Sequence, residues 1–130
     1  MIVVDASALV AILLEEPEKR SFLHVLAETD VVISPVGYWE AHTRLYRLRG
    51  DEGAADLDAL VATFNIRIAP ATEMTARLAI QAQVAFGKRT PAKLNLGDCF
   101  AYALTKERGA PLLYKGDDFA RTDVEPAAGA

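Results

Sequence analysis

A chain of 130 residues can bury one hydrophobic core and is too short to divide comfortably into two, so we expect a single domain over residues 1–130. Hydrophobic residues make up 52% and charged residues 25%, which excludes disordered and fibrous proteins. The net charge of −4 argues against binding nucleic acid by bulk electrostatics alone, although basic residues cluster locally.

The sequence carries no pattern of a membrane or secreted protein. The longest uncharged apolar run, residues 6–14, is far shorter than the ~20 residues that span a bilayer, and no basic stretch precedes it. The single cysteine, Cys99, offers neither an internal disulfide nor a zinc site, so we interpret it as a small buried hydrophobic residue. These features predict a cytoplasmic protein.

Two strands and two helices are predicted in the first part of the chain. Ile2–Val4 is a short β-branched run, which is typical of a buried strand, and it ends at Asp5. A leucine-rich helix over residues 7–14 follows, and Pro17 between two glutamates indicates the start of a second helix. Val31–Ile33 is a second apolar triplet and is predicted as the next strand.

The middle of the chain is predicted to form two helices and a third strand. Ser34 can cap the first helix and Pro35 can occupy its first turn, and this helix should end at Gly50. Residues 51–64 carry apolar side chains at three- and four-residue spacing, which predicts an amphipathic helix. Residues 66–69 alternate and are predicted as a strand.

The last part of the chain is predicted to contain two more helices and a fourth strand. Thr72 can cap a helix that Gly87 ends, and residues 97–108 form the next helix, with Gly109 as its stop. The helix after Thr72 has four apolar residues on its buried stripe, namely Met74, Leu78, Ala79 and Ala82. Residues 88–95 are predicted as a loop and residues 112–114 as a strand. Val124 is predicted to add an edge strand, and residues 125–130 to form a flexible tail.

The alternation of strands with helices predicts the fold class. Parallel strands need crossover connections, which helices supply, so we expect an α/β domain with three α/β/α layers. The central sheet should be mainly parallel, with four or five strands flanked by helices. In such a sheet, ligands bind beyond the carboxyl ends of the strands.

Five acidic residues occupy positions from which they could meet at this edge. Asp5 directly follows the first predicted strand, and Asp117 and Asp118 follow the last one. Asp98 begins a predicted helix, and Glu40 lies in the second turn of another, among apolar and aromatic residues. Separated segments can therefore bring carboxylates toward one edge of the sheet.

A cluster of carboxylates suits the cleavage of a phosphodiester. That reaction needs a nucleophilic water, relief of charge on the phosphate and stabilisation of the leaving oxygen, and one or two magnesium ions supply all three. Magnesium and manganese prefer such hard oxygen ligands.

Each acid also has a structural alternative. Asp98 could cap its helix, and Glu40 could pair with Arg44 one turn on. The two aspartates after Gly116 could shape a turn. Asp5 is the hardest to explain in this way, because a charge at the end of a buried strand is costly without a partner. Taken together, the acids favour a metal site.

Four stretches of the sequence resemble the PIN-domain family, and specifically its VapC branch, and they span essentially the whole chain. They are IVVDASAL at 2–9, YWEA at 38–41, LNLGDCFAYA at 94–103 and LLYKGDDF at 112–119. The resemblance implies a PIN-like fold and a magnesium-dependent endoribonuclease, the toxin of a type II VapBC toxin–antitoxin pair. The nucleophile would be a metal-activated water.

The resemblance implies which acids form the site. Asp5 and Asp98 would be direct metal ligands, and Glu40 a ligand or a water-orienting base. Asp117, Asp118 or both would complete the metal site. Asp117 is slightly favoured as the fourth catalytic acid because it comes first after the glycine, whereas Asp118 belongs to the Asp-Phe pair that is familiar in relatives.

The resemblance also implies supporting residues, a cofactor and partners. Ser7 matches the hydroxyl residue that follows the first acid and would position a water at the metal. The cofactor would be magnesium, with manganese as a substitute, and the substrate RNA, such as a transfer RNA or another structured RNA. The protein partners would be a second copy of the chain and a VapB-type antitoxin. Operator DNA would be bound only indirectly, through the antitoxin. Three residues are candidates to hold RNA phosphate, namely Arg44, Arg47 and Lys93.

Aromatic and histidine side chains carry less weight in this prediction. Tyr38, Trp39 and Tyr46 could stack on RNA bases, but helix packing or a dimer seam is the favoured interpretation. His24 and His42 lie within helical patterns without an obvious partner, and we interpret both as structural. Neither group defines the site.

Two other classes of protein share part of this pattern. Haloacid-dehalogenase-like phosphatases and receiver domains also place an aspartate after the first strand. The phosphatase motif needs a second aspartate where Ser7 stands, and a receiver needs its phospho-accepting aspartate where Ala69 and Pro70 stand, so both fit poorly. A catalytically silent PIN fold that binds RNA or protein stays open, because a sequence does not show turnover.

Overall fold

The computed structural model describes residues 1–127 and contains one sheet of four strands. The strands are β1 (Ile2–Val4), β2 (Val31–Ile33), β3 (Arg67–Ile68) and β4 (Leu112–Leu113). Their order is β3-β2-β1-β4, and each neighbouring pair is parallel. The central strands β1 and β2 are buried at every position, as expected where helices cover both faces. The predicted α/β class with a mainly parallel sheet is confirmed.

Five helices connect the strands and cover the sheet. They are α1 (Ala6–Leu13), α2 (Lys19–Glu28), α3 (Pro35–Thr63), α4 (Glu73–Phe86) and α5 (Leu96–Arg108), and a short 3-10 helix (Phe119–Arg121) follows β4. Successive residues of β1 face opposite sides. Val4 packs with residues of α1, α2 and α3, whereas Val3 packs with residues of α4 and α5. This division produces the three predicted layers.

Two helices, α3 and α4, begin at residues whose side chains accept hydrogen bonds from free backbone N–H groups, and α5 ends at a residue that leaves the helical conformation. Ser34 caps α3 by accepting a hydrogen bond from the Val36 N–H at 3.1 Å, and Thr72 caps α4 in a reciprocal arrangement with Thr75. Gly109 ends α5 in a left-handed conformation, with φ 58°. These three predicted boundaries are confirmed.

A glycine kink divides α3 without a connecting loop. Gly50 has φ 64° and ψ −147°, which lie outside the helical region, so two helices meet there within one helical segment. A positive φ is accessible to glycine at little cost. The predicted end of the first helix at Gly50 is confirmed, and the helix predicted over residues 51–64 follows it directly.

Two details of the element predictions are wrong. Met74 does not lie on the buried stripe of α4, because it is 56% exposed and Thr75 is buried beside it instead. Residues 66–69 do not alternate, because burial falls on the first and last of them. Only the two residues of β3 pair with β2.

The chain returns to the sheet after the position predicted for an edge strand. The parallel bridge lies not at Val124 but at Pro126, which pairs with Leu112. The N–H and C=O of Leu112 form 2.8 Å hydrogen bonds to the residues on either side of that proline. Residues 125–127 of the tail predicted to be flexible are therefore held beside β4, and residues 128–130 lie outside the described residues.

Two expectations about environment concern Cys99 and membranes. Cys99 is 4% exposed and belongs to the core on the α4 and α5 side of the sheet, which confirms it as a small buried hydrophobic residue. Within residues 1–127, no helix combines the length and the apolar character that crossing a membrane requires.

Candidate active site

A cleft opens at the edge of the sheet where the parallel strands end. It has a volume of about 390 Å³ and is lined by residues from the start of α1, the first half of α3 and the start of α5. Its charged lining residues are Asp5, Glu40, Arg44, Arg47 and Asp98. The fold thus brings together three of the five predicted acids from segments that are far apart in the sequence.

Asp5 is the most deeply buried acid of the cleft, with 4% of the residue exposed. It is the N-cap of α1, and its Oδ2 accepts a hydrogen bond from the Ser7 N–H at 3.0 Å. Burial raises the pKa of this carboxyl above its usual range, and hydrogen bonds from Ser7 and from the Ala6 N–H offset only part of that effect. A buried carboxylate of this kind is stabilised by a neighbouring cation or by a proton.

Asp98 lies in the first turn of α5 and forms a reciprocal cap with Asn95. The Asp98 N–H donates to Asn95 Oδ1 at 2.9 Å, and the Asn95 N–H donates to Asp98 Oδ2 at 3.0 Å. Asp98 therefore caps its helix, yet it also lines the cleft. Burial raises its pKa to about 6, and the charges of Asp5 and Asp118 add to the increase. The Asn95 N–H and the Lys88 charge act in the opposite direction.

Glu40 reaches the cleft from α3 and fits against a glycine of α5. Burial raises its pKa to about 7, and the charges of Asp5 and Asp98 add to this effect. A Cβ atom at Gly97 would lie 1.7 Å from Glu40 Oε1, so only glycine leaves room for the carboxyl. Among the ion pairs within residues 1–127, none joins Glu40 to Arg44, so the structural alternative for this acid is not what the protein adopts.

The donor set fits a magnesium ion that keeps part of its water shell. Across residues 1–127, no three acidic, histidine or cysteine side chains are already gathered closely enough to hold a metal between them. Repulsion opposes such gathering, because the charge of Asp5 raises the pKa of both Glu40 and Asp98. Magnesium usually takes one or two carboxylates and several waters, so three direct ligands are not required. A cation would relieve the repulsion and the burial of these charges.

A hydrogen-bond chain connects the cleft to the segment after β4. Ser7 Oγ accepts a hydrogen bond from the Lys115 N–H at 3.0 Å, and the same serine donates to Asp5. The Lys115 ammonium contacts Glu16 and lies 3.4 Å from Glu18 Oε1. Sequence reasoning missed this link. The sequence shows only a lysine, Lys115, beside an acidic turn, and acids between the first two helices. Nothing connects these segments in the sequence, because Ser7 and Lys115 are 108 residues apart.

The turn after β4 contains Asp117 and Asp118, the two candidates for the fourth acid of the site. Both are exposed, and neither lines the cleft. The charge of Asp118 raises the pKa of Asp98, whereas Asp117 is not among the groups that do so. Asp118, whose charge reaches Asp98, is therefore the better candidate for the fourth acid.

Two of the three predicted phosphate-binding residues lie at the cleft. Arg44 and Arg47 line it. Lys93 is exposed in the loop before α5, has φ 54°, and is not part of the lining. Lys88 of the same loop is the lysine whose charge reaches Asp98. The sequence could not single it out, because the loop has three basic residues and no periodicity.

The aromatic and histidine candidates are mostly engaged elsewhere. Tyr46 stacks on His42 with ring centroids 6.3 Å apart, and Tyr38 donates a hydrogen bond to an aspartate in the second half of α3. His24 is exposed and contacts a glutamate one turn further along α2. Of these aromatic and histidine residues, Trp39 is the one that lines the cleft.

Known proteins related to the chain are VapC ribonucleases. The family model of the PIN domain matches residues 2–125. A VapC ribonuclease of Mycobacterium bovis and ribonuclease VapC28 of Mycobacterium tuberculosis are each 40% identical over 128 residues, which cover 96% of this chain and 96% of theirs. A VapC ribonuclease of Rhizobium meliloti is 40% identical over 138 residues, covering 93% of this chain and 97% of its own.

A solved structure bears on the fold. Mycobacterium tuberculosis VapC20, a toxin that cleaves the sarcin-ricin loop, has a TM-score of 0.78 with this chain. The match covers 95% of this chain and 96% of VapC20. The two sequences are 19% identical, so this likeness concerns the fold alone. The family match and the relatives over nearly the whole length lead to one conclusion: the chain belongs to the PIN-domain family and, within it, to the VapC ribonucleases.

Proposed function

We propose that this endoribonuclease is the toxin of a VapBC toxin–antitoxin pair and cuts RNA with the help of a magnesium ion held in the cleft. The observation that carries the proposal is the convergence of Asp5, Glu40 and Asp98 in one cleft. Burial raises the pKa of each of these acids. One buried and two half-buried carboxyl groups are costly without a cation, and a divalent ion would offset that cost.

The residues of the cleft can take distinct roles in hydrolysis. Asp5 and Asp98 would hold the ion directly, and Glu40 would either join them or orient the attacking water. The bound ion would supply an activated nucleophile and relief of the charge on the phosphate. Ser7, fixed by the Lys115 N–H, can orient a water beside Asp5. Glu40, if it does not bind the ion, can accept a proton from the attacking water.

The substrate we propose is a single-stranded loop of a transfer RNA or another structured RNA. Arg44 and Arg47 line the cleft and can bind phosphates of an RNA strand that enters it. Lys88 adds positive charge from the loop before α5. With a net charge of −4, the protein must attract RNA through such local cations, so we expect binding to weaken as salt rises.

The protein partner we propose is a VapB-type antitoxin that covers the cleft and blocks RNA. Membership of the VapC ribonucleases supports this partner. The cleft presents three acids and two arginines, so an antitoxin segment that enters it needs charges of both signs. Operator DNA would be bound only through the antitoxin.

Cleavage of RNA by the purified chain, free of antitoxin, tests the proposal. We expect discrete products from transfer RNA or total RNA with magnesium, and none with a chelator. Asp5→Asn and Asp98→Asn should each lower the rate by about 100-fold or more, as for groups that stabilise charge in the transition state. Glu107→Gln, an exposed acid of α5 that does not line the cleft, is the matched control and should leave the rate unchanged.

The same assay decides the fourth acid. Asp118→Asn should lower the rate more than Asp117→Asn, because the charge of Asp118, unlike that of Asp117, raises the pKa of Asp98. Cleavage at the same rate in chelator as in magnesium, or at the wild-type rate in a folded Asp98→Asn variant, would reject the metal centre. A folded chain that cuts no RNA with any divalent ion would indicate a silent binding module instead.

A further inference from the structure

Trp39 occupies a position that packing does not explain. It is the only tryptophan of the chain, it precedes Glu40 in α3, and it is 63% exposed. It lines the same cleft as Asp5 and Asp98. Tryptophan is normally well buried, and an indole left open to solvent is available for binding. The ring is therefore accessible to whatever enters the acidic cleft.

The surroundings of Trp39 suit a nucleotide better than an apolar protein segment. Trp39, Thr43 and Arg47 follow one another at four-residue spacing, so they form one stripe of α3 along the cleft. Five of the lining residues are charged, which leaves few partners for the apolar side chains of a protein. A nucleobase offers a flat face to the indole, and its phosphates offer the negative charge that arginine binds.

Exposure of an aromatic ring on α3 does not by itself place that ring at the site. Tyr46 is 52% exposed, yet it stacks on His42 and is not part of the cleft lining. Tyr38 is held by its hydrogen bond to Asp58. Trp39 therefore combines exposure with proximity to the acids, and Tyr46 provides a matched control on the same helix.

We propose that Trp39 stacks on an unpaired nucleobase beside the phosphate that is cut, and so favours single-stranded over double-stranded RNA. This inference rests on the proposed function, because it places RNA in the cleft. The faces of a paired base are covered by its neighbours, whereas a base in a loop can turn out and stack on an aromatic side chain. Stacking tolerates any base, so Trp39 selects for strandedness and not for sequence.

Fluorescence tests the stack without any need for cleavage. Because the chain has a single tryptophan, its indole emission reports on Trp39 alone. A short mixed-sequence single-stranded RNA, added in chelator, should quench that emission in a saturable way. The same RNA annealed to its complement should bind about tenfold more weakly by this measure, since the stack is lost. Tyr46→Ala should give the same titration as the wild type.

Kinetics provide the second test. Trp39→Ala should raise KM for a single-stranded substrate about tenfold or more and change kcat little, as expected for the loss of one stacked base. Trp39→Phe should recover most of the loss, because it keeps a flat ring. Tyr46→Ala should keep the KM of the wild type, and thermal unfolding should show that all three variants are folded.

Four results would separate the inference from its alternatives. An unchanged KM in Trp39→Ala, or emission that saturating single-stranded RNA does not alter, would overturn the stack even if the chain cuts RNA. A wavelength of maximal emission that shifts with protein concentration in the absence of RNA would also overturn it and place Trp39 between copies of the chain. Quenching by RNA in a protein that never cuts RNA would uphold the stack and reject the proposed nuclease.

Discussion

Glu40 and Asp98 couple the charge of the cleft to the stability of the fold. On folding, the pKa of Glu40 rises from 4.5 to about 7 and that of Asp98 from 3.8 to about 6, mainly because both are buried. Without metal, the folded state therefore holds protons that the unfolded state releases between about pH 4 and pH 7. The stability that these protonated carboxyls contribute is present at acidic pH and is lost as the pH rises through their folded pKa values.

Replacing Glu40 with glutamine should remove much of this pH dependence. Glutamine keeps the shape of the side chain but cannot ionise, so metal-free Glu40→Gln should unfold at a higher temperature than the wild type at pH 8. A gain of ~1 kcal/mol would raise the midpoint by about 3–5 °C, and at pH 5 the two proteins should differ little. Thermal unfolding in chelator at several pH values measures the effect.

The control for this prediction is an acid outside the cleft. Glu107→Gln changes the net charge by the same amount on an exposed face of α5, and it should follow the wild type at every pH. Added magnesium should stabilise the wild type more than Glu40→Gln, since the variant has less charge to neutralise. If Glu40→Gln and the wild type showed the same pH dependence, the carboxyl would not be buried as the structure has it.

The site residues differ in how far the sequence could predict them. Asp5 and Asp98 stand at a strand end and a helix start, which are positions that local pattern defines. Glu40 has no such local signal, because its place depends on Gly97, which is distant in sequence. The choice between the two aspartates of the last turn depends on side-chain directions after Gly116, whose φ of 107° is not readable from the residue types.

Between elements, the contact of α3 with α5 leads us to expect that the activity depends on Gly97. An alanine Cβ at this position would lie 1.7 Å from Oε1 and 2.2 Å from Cδ of Glu40. These atoms end a flexible side chain, so we expect the Glu40 carboxyl to move and the helices to stay. Gly97→Ala should keep its unfolding midpoint within about 3 °C while its rate and its magnesium affinity fall about tenfold or more.

Two comparisons isolate the cause of this effect. A Cβ at Gly53 would lie 2.5 Å from the backbone oxygen of Leu45, so Gly53→Ala should lose about 1–3 kcal/mol of stability instead. In a Glu40→Ala background the clash at Gly97 is gone, and adding Gly97→Ala should not lower the rate further. If Gly97→Ala lowered the rate of Glu40→Ala as much as that of the wild type, the clash with the carboxyl would not be the reason.

The helix boundaries were predictable where one residue determines them. Ser34 and Gly109 act through their own side chain or their own φ, so sequence alone identified them. Met74 was misplaced because periodicity allows the buried stripe to shift by one residue. Thr75 can be buried there because its hydroxyl accepts a hydrogen bond from the Thr72 N–H at 2.9 Å. The short β3 depends on pairing with β2, which has no local signature.

At the scale of the whole molecule, the described residues 1–127 leave an apolar groove between α4 and α5 unfilled. The groove has a volume of about 860 Å³, and Ile80, Val84 and Leu96 at its rim are 58%, 78% and 69% exposed. Contiguous apolar surface of this kind usually marks an interface. We propose that a second copy of the chain covers it, which would make the protein a homodimer.

The charges along α4 suit a two-fold pair. Glu73, which pairs with Arg77 one turn on at 2.9 Å, begins the helix, and Lys88 and Arg89 follow its end. If two copies packed with their α4 helices antiparallel, the acidic start of each helix would face the basic end of the other. The apolar residues between these ends would be buried at the two-fold axis.

Val84→Asp should therefore convert the proposed dimer into a monomer. A two-fold interface places the new carboxylate of each copy near the axis, where two unpaired charges are costly. Light scattering during gel filtration should show twice the mass of the chain for the wild type and for Leu48→Asp, a control on an exposed part of α3. Val84→Asp should elute with the mass of one chain and stay folded, since residue 84 is at the surface.

The activity of that monomer would show how the dimer relates to the site. All the acids of the cleft come from one chain, so a folded Val84→Asp monomer should still cut RNA at a rate near that of the wild type. A monomeric wild type would exclude a second copy from the groove. A variant that keeps the dimer mass but no longer binds antitoxin would assign the groove to the antitoxin. Loss of cleavage in the folded monomer would mean that the partner copy completes the site.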